Sequence, residues 1–224
     1  MTGEPAEADE AARRDLLSYE QTNYPALSYL QTSPDNLGTI ATLLGLEPAL
    51  PYEARVLDIG CAGGGNLLPL AVAYPRARFV GIDYAASQVA QGRRIAAELG
   101  LSNVRFEQLD FRHAGPDLGT FDYAIAHGIY SWVPGPIRDA LLALVRRALA
   151  PQGVAYLSFN CMPGFAQLRV IRDAMLFHAG TIEHPIERAR EGAWFIDFIA
   201  GANRDADDAY GAMLRADAGD RDER

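Results

Sequence analysis

The chain of 224 residues is predicted to be an α/β protein, a parallel sheet with helices on both faces. Three observations predict it. Strand and helix patterns alternate five times between two charged ends, which is the signature of βα units feeding one sheet. The strand segments are nearly continuous apolar runs, as expected of strands buried on both faces. The first of them runs straight into a glycine-rich turn that opens a helix. With 49% hydrophobic and 22% charged residues, the composition suits a soluble domain with a proper core.

The elements follow in order. Residues 1–14 are small and acidic and are expected to form a disordered tail. Ser33-Pro34-Asp35 reads as a helix start, with proline in the first turn followed by an acid; Leu37, Ile40, Ala41 and Leu44 share one face, and Gly45 stops the helix. Arg55–Gly60 is the first strand, and a helix begins near Asn66 and ends before Pro75. Arg78–Asp83 is the second strand, followed by a helix that Ser87 is expected to cap and Gly100 to terminate. Val104–Leu109 and Phe121–Ala126 are the third and fourth strands. Ile137, Leu141, Leu144, Val145 and Leu149 form a helical stripe stopped by Pro151 and Gly153, and Val154–Phe159 is the fifth strand. Past Asn160 the pattern changes: Phe165–His178 and Ile186–Ile199 read as amphipathic helices, giving a helical extension over 161–203. Trp194, Phe195, Phe198 and Ile199 are read as core or a partner surface. Residues 204–224 form a charged, partly disordered tail with at most a frayed helix.

Charge and cysteine content narrow the function classes. Twenty basic residues against 29 acidic ones leave a formal charge of -9, and every one of the cations is arginine. So acidic a chain is a poor candidate for tracking duplex DNA, whose affinity comes from neutralised phosphates. The two cysteines, Cys61 and Cys161, form no Cys-x-x-Cys pair, and His113, His178 and His184 show no ligand spacing with them. No metal site is expected. Glu4, Glu7, Asp9 and Glu10 lie where a signal peptide would need an apolar region, and no stretch approaches a membrane span, so the expected location is cytoplasmic.

The chemistry concentrates in Val56-Leu-Asp-Ile-Gly-Cys-Ala-Gly-Gly-Gly-Asn66. Ligands of open parallel sheets bind outside the carboxyl ends of the strands, where strand order switches, and glycines there let a ligand approach the backbone. A dinucleotide fingerprint wants Gly-x-Gly-x-x-Gly to seat a pyrophosphate. Gly60 and Gly65 fit, but position 62 is alanine. Asp58, two residues before Gly60, is awkward for a pyrophosphate and useful for a cation. S-adenosylmethionine (SAM) carries an ammonium and a sulfonium and no phosphate, so electrostatics favours SAM over NAD.

Asp58-Ile-Gly60-Cys-Ala-Gly-Gly64 resembles the first motif of class I SAM-dependent methyltransferases, with Ala62 in place of the usual middle glycine. Gly81-Ile-Asp83 resembles the second-strand motif of that family, Gln108-Leu-Asp110-Phe111 the adenine-reading motif, Phe121-Asp122 to Val133 the fourth strand and its loop, and Leu149–Gly153 the turn before the fifth strand. The likeness spans Arg55–Phe159. It implies a Rossmann-like sheet in strand order 3-2-1-4-5 and SAM as cofactor. It places Asp58, Gly60 and the turn positions Cys61, Ala62, Gly63 and Asn66 at the methionyl end. Asp83 would grip the ribose hydroxyls, since an ionised carboxylate accepts two hydrogen bonds from a cis-diol. Tyr84 would pack on adenine, Asp110 and Phe111 would read it, and His127 would face the transferred methyl. A narrower likeness rests on Tyr19-x4-Tyr24-Pro25, Gln31-Thr-Ser-Pro34, Ala126-His-Gly-Ile-Tyr-Ser-Trp-Val-Pro134 and Asn160-x2-Pro163-Gly164. These resemble methyltransferases with a so-called regulatory domain, a group that includes bacterial protein-lysine methyltransferases.

Methyl transfer is an in-line displacement, so positioning supplies much of the barrier reduction. A neutral amine acceptor needs no base, whereas an oxygen or a cationic lysine needs deprotonation. Candidate lining residues are His127, Tyr130 and Trp132, with Tyr19 and Tyr24 from the N-terminal segment; aromatic faces hold cations. His127 and Tyr130 are the catalytic candidates, set against the reading that they pack the loop. The small Cys61 suits the tight turn better than a reactive role. Position 127 is not followed by the Pro-Pro-aromatic of amino-methylating DNA enzymes, so the acceptor is expected to be a protein or small molecule. The hairpin that completes the family sheet has no counterpart after Asn160, which suggests a shortened homologue. It would have an open fifth-strand edge through which, or through the helical extension, the chain could oligomerise. A non-catalytic SAM-binding module and an NAD-dependent oxidoreductase are the competing readings.

Overall fold

A computed structural model describes residues 27–205 and 207–222; the readings for the tail over 1–14 and for Tyr19 and Tyr24 fall outside the described residues. The chain divides into two compact units, Met1–Phe159 and Asn160–Arg224.

The first unit is built on a sheet of five strands in the order β3-β2-β1-β4-β5, all parallel. They are β1 (Arg55–Ile59), β2 (Arg78–Asp83), β3 (Val104–Gln108), β4 (Phe121–Ala126) and β5 (Leu149–Leu157). The helices are α1 (Pro34–Leu43), α2 (Leu67–Ala73), α3 (Ala86–Glu98) and α4 (Gly135–Ala148). Strand residues alternate between two buried clusters, one per face. Val56, Phe79, Tyr123 and Ile125 pack with Leu37, Leu67, Leu68, Val89 and Ala96 from α1, α2 and α3. Leu57, Ile59, Val80 and Ile82 pack with Leu141, Leu144, Val145 and Ala148 of α4. Burial on both faces is why these strands read as continuous apolar runs.

Local chemistry sets the element ends. Pro34 opens α1 and Ser33 precedes it, its hydroxyl donating to the Asp35 carboxylate. The helix after β2 starts at Ala86, with Ala85 rather than Ser87 at the cap position, because the Asp83 side chain accepts from the Ala85 N–H at 2.9 Å. Arg146 and Arg147 sit in the last turn of α4, where cations complement the helix dipole. β5 begins earlier than Val154: Leu149 already pairs with Phe121, and a register shift then carries the ladder to Tyr123–Val154. The expected turn over Leu149–Gly153 is thus a bulge inside the strand, with Gln152 at φ 65°.

The second unit holds α5 (Ala166–Ala179), α6 (Pro185–Ala202) and α7 (Ala209–Asp222). Ile171, Ile196, Ala200 and Leu214 form its core. The charged stretch read as a tail thus carries a 14-residue helix, because Leu214, 1% exposed, gives it an anchor. On α6 the buried face is Gly192, Ile196 and Ala200, while Trp194 and Phe198 stack on each other and stay exposed. No strand follows Leu157 among the described residues, and no helix is long and apolar enough to cross a membrane.

Candidate active site

The parallel register brings the chemistry to one sheet edge. Asp58 pairs with Gly81 on one side and Ile125 on the other. Asp83 and His127 each lie two residues beyond those partners, so all three alternate onto the face that carries α2 and α3.

The turn after β1 wraps over this edge. Gly60 (φ 68°) and Gly64 (φ 82°) adopt left-handed backbone that L side chains rarely tolerate. A side chain at Gly60 would also meet Ile129, and one at Gly64 would meet Phe106, at 2.6 and 2.5 Å. Ala62 stands where the family motif has glycine and takes the same kind of conformation, φ 46°. What holds it there is Asp83, whose Oδ2 accepts from the Ala62 N–H at 2.8 Å while its Oδ1 accepts from Ala85. The acid of β2 therefore shapes the turn of β1 before any ligand arrives. Cys61 is buried and its thiol is pushed well up by burial, with Asp58 and Asp83 adding to the effect, so it stays protonated. Gly63 is buried above α3, close to Gln88 and Gln91.

Asp58 is 3% exposed, and its carboxyl is pushed from 3.8 up to about 7. Desolvation is the main cause and the Asp83 charge adds to it, while the Asn66 amide opposes both. Asn66 Nδ2 reaches Asp58 at 3.5 Å. The other end of the same amide accepts from the Tyr29 N–H at 3.1 Å and lies 3.1 Å from the Thr32 hydroxyl, whose single proton it shares with the Tyr29 carbonyl at 2.8 Å. Residues 27–32 thus form a strap fastened over the turn.

The strap also reaches β4. Tyr29 stacks on His127 with ring centroids 3.7 Å apart, and Tyr156 of β5 lies parallel to the imidazole at 6.0 Å. Burial lowers the His127 pKa, favouring a neutral ring at neutral pH. Beyond it, the Gly128 N–H donates to Ser158 Oγ at 2.7 Å, tying the loop to the end of β5. Tyr130 meets Phe159 edge-on and carries the Arg138 guanidinium 5.5 Å above its ring, so its face is already taken by a cation. Trp132 is 53% exposed on the same loop.

On the β2–β3 side, Tyr84 is exposed and its carbonyl accepts from Gln108. Asp110 is committed to Arg112, which reaches Oδ1 and Oδ2 through Nε and Nη2 at 2.6–3.0 Å and donates its backbone N–H at 2.9 Å. Burial raises the Asp110 pKa and the Arg112 contacts more than offset it, leaving it below the usual carboxylate range. Phe111 follows in a short 3-10 turn and packs with the α4 cluster.

Tyr29, Thr32, Ile129 and Tyr156 belong to this site and are missing from the sequence-derived set. The sequence signal for the strap is the Gln31-Thr-Ser-Pro34 segment, and no spacing rule singles out Tyr29 beside it.

Residues 56–153 match the methyltransferase domain family. An uncharacterized protein of Rickettsia prowazekii is 35% identical over 201 residues, covering 90% of this chain and 36% of the relative. A second from the same organism is 32% identical over 206 residues, covering 92% of this chain and 82% of the relative. PKMT2 from Rickettsia typhi, solved in complex with AdoHcy, superposes with a TM-score of 0.74 at 33% identity, covering 88% of this chain and 38% of that one. The chain therefore spans little more than a third of the length of the first relative and of that solved structure. A parallel sheet in the order β3-β2-β1-β4-β5, an acid below a glycine turn and an acid ending β2, together with these matches, make the chain a member of the class I SAM-dependent methyltransferase family.

Proposed function

We propose that the chain binds SAM across the carboxyl ends of β1, β2 and β4 and transfers its methyl to a nitrogen or oxygen of a protein or small-molecule acceptor. The observation that carries this is Asp58, a carboxyl 3% exposed beneath the glycine turn that forms no ion pair among the described residues. A buried anion is costly until a cation arrives. The methionyl ammonium is such a cation, and a pyrophosphate is not.

SAM supplies an electrophilic sulfonium methyl. The residues supply position: Asp58 takes the ammonium, and the backbone of Gly60, Cys61, Ala62 and Gly63 lets the amino-acid end approach. Asp83 takes the ribose diol, because an ionised carboxylate accepts two hydrogen bonds from a cis-diol. Tyr84 and Phe111 flank adenine. Asp110, paired with Arg112, serves chiefly to brace that loop, a reduced role beside the sequence expectation. His127, kept neutral by burial at the end of β4, is the group able to accept a proton from an acceptor nucleophile.

Thermal denaturation with S-adenosylhomocysteine and with NADH tests the cofactor. Stabilisation by the former alone supports the reading, and stabilisation by NADH alone overturns it. Transfer of radiolabelled methyl to candidate acceptors then separates an enzyme from a binding module. The chain itself contains no lysine to take up label.

A further inference from the structure

We infer that Asn66 is a positioning residue that couples docking of the strap, through Tyr29 and Thr32, to the charge state and orientation of Asp58. The inference rests on the reading of Asp58 as the ammonium-facing acid. Its ground is the arrangement of donors around one amide. The Tyr29 backbone N–H can only donate, so the Asn66 atom facing it at 3.1 Å must be the oxygen. The Thr32 hydroxyl, 0% exposed, shares its single proton between that same oxygen at 3.1 Å and the Tyr29 carbonyl at 2.8 Å, so it reinforces an orientation that the Tyr29 N–H already sets. With its oxygen held by the Tyr29 N–H, Asn66 must turn its N–H2 toward Asp58, where it lies at 3.5 Å.

The reverse orientation fails on both sides. It would set the amide oxygen against the Asp58 carboxylate, acceptor to acceptor, and the N–H2 against the Tyr29 N–H, donor to donor. A docked strap and an ionised Asp58 therefore select the same amide orientation, and each favours the other. A cation bound at Asp58 also favours the ionised form. Cofactor binding and strap docking are then linked through one side chain, with reciprocal effects on affinity.

Among the described residues, several groups set the charge of Asp58 or lie beside it on the neighbouring strands. Asp83 comes from β2 and disfavours its charge; the buried Cys61 thiol of the turn is neutral. Ile125 is its β4 neighbour, with the neutral His127 two residues beyond. Among the described residues, the side-chain donor to Asp58 is Asn66, at the end of the turn after β1. Removing that donor leaves desolvation and Asp83 unopposed.

Isothermal titration with S-adenosylhomocysteine between ~pH 5.5 and ~pH 8.5 reads the coupling. Wild-type affinity is expected to rise with pH and level off above about 7, where Asp58 is ionised. Asn66→Ala is expected to weaken binding about tenfold at neutral pH and to move the midpoint upward. Thr32→Val, which keeps the shape and deletes the strap hydroxyl, is expected to weaken binding about threefold in wild type and by clearly less in the Asn66→Ala background, where only the hydroxyl's bond to the Tyr29 carbonyl is left to lose. Additive losses, or a folded Thr32→Val protein with wild-type affinity and midpoint, overturn the coupling. Should Asn66→Ala fail to fold, Thr32→Val alone decides. A wild-type chain that ignores S-adenosylhomocysteine refutes the cofactor reading itself, and the coupling with it.

Discussion

Tyr29 lies against His127 with ring centroids 3.7 Å apart and planes 28° from parallel. One face of the imidazole is covered by a residue from the strap. The contact joins the segment preceding α1 to the end of β4, and it contributes to the burial that depresses the His127 pKa.

Tyr29→Ala is expected to raise the His127 pKa back toward 6.5, followed by the imidazole proton signals in an NMR titration. The sign follows from linkage. A folded-state pKa below the unfolded value means that stability is lost as pH falls through the histidine range, so the variant should lose less on mild acidification. At neutral pH it should be about 1 kcal/mol less stable from the lost aromatic pair. An unchanged titration would mean that the stack does not bury the ring.

Asp58→Asn should stabilise the ligand-free protein and abolish its affinity for S-adenosylhomocysteine. A folded carboxyl at about 7 against 3.8 disfavours the ionised form by ~4 kcal/mol, an order-of-magnitude figure for so buried a group. Because this pKa is raised, stability falls as pH climbs from about 4 to about 7. The gain in Tm on substitution is thus expected at ~pH 8 and should vanish at ~pH 4. Equal Tm at the higher pH would show that Asp58 is solvated or paired.

Ala62→Gly and Gly64→Ala probe the turn from opposite directions. Alanine at φ 46° carries strain of ~1 kcal/mol, partly offset by the unfolded-state entropy of glycine, so Ala62→Gly should be neutral or slightly stabilising in urea denaturation. Gly64→Ala adds a Cβ 2.5 Å from Phe106 at φ 82° and should cost about 2 kcal/mol or more. Similar values for the two variants would contradict the turn geometry.

Asp122→Asn supplies a control at the far end of the sheet. Arg55 and Asp122 form a two-pronged pair at 2.9 and 3.1 Å, and the Arg55 backbone N–H joins at 2.8 Å. Burial raises the Asp122 pKa, but the Arg55 contacts outweigh it and leave it lowered. Stability from this pair is therefore present above the usual carboxylate range and lost as pH falls through the lower folded value. The substitution should cost about 1 kcal/mol at neutral pH, since Arg55 is half exposed, and leave ligand affinity unchanged. A changed affinity would reveal long-range coupling.

The strands and their order were legible because burial on both sheet faces leaves long apolar runs, and because Asp58 and Asp83 announce themselves by lying beside glycines. What sequence could not show is contact between residues distant along the chain. Tyr29, His127 and Tyr156 come from three separate segments, and no spacing rule joins them. The Ser87 cap failed for a related reason: the Asp83 carboxylate already serves Ala85, two residues earlier. At Asp110 the competing partner stood only two residues away in Arg112, a local pairing that motif reading passes over.

Gly81, across the ladder from Asp58, has no side chain, and the missing volume is shared by three neighbours. A Cβ there would come within 2.9 Å of Cys61 Sγ, Leu67 Cδ1 and Phe106 Cδ1. Positions 61, 67, 81 and 106 are accordingly expected to tolerate replacement as a set and to resist it singly, with measured effects departing from additivity. Redesign of the cofactor pocket would have to vary this quartet in concert.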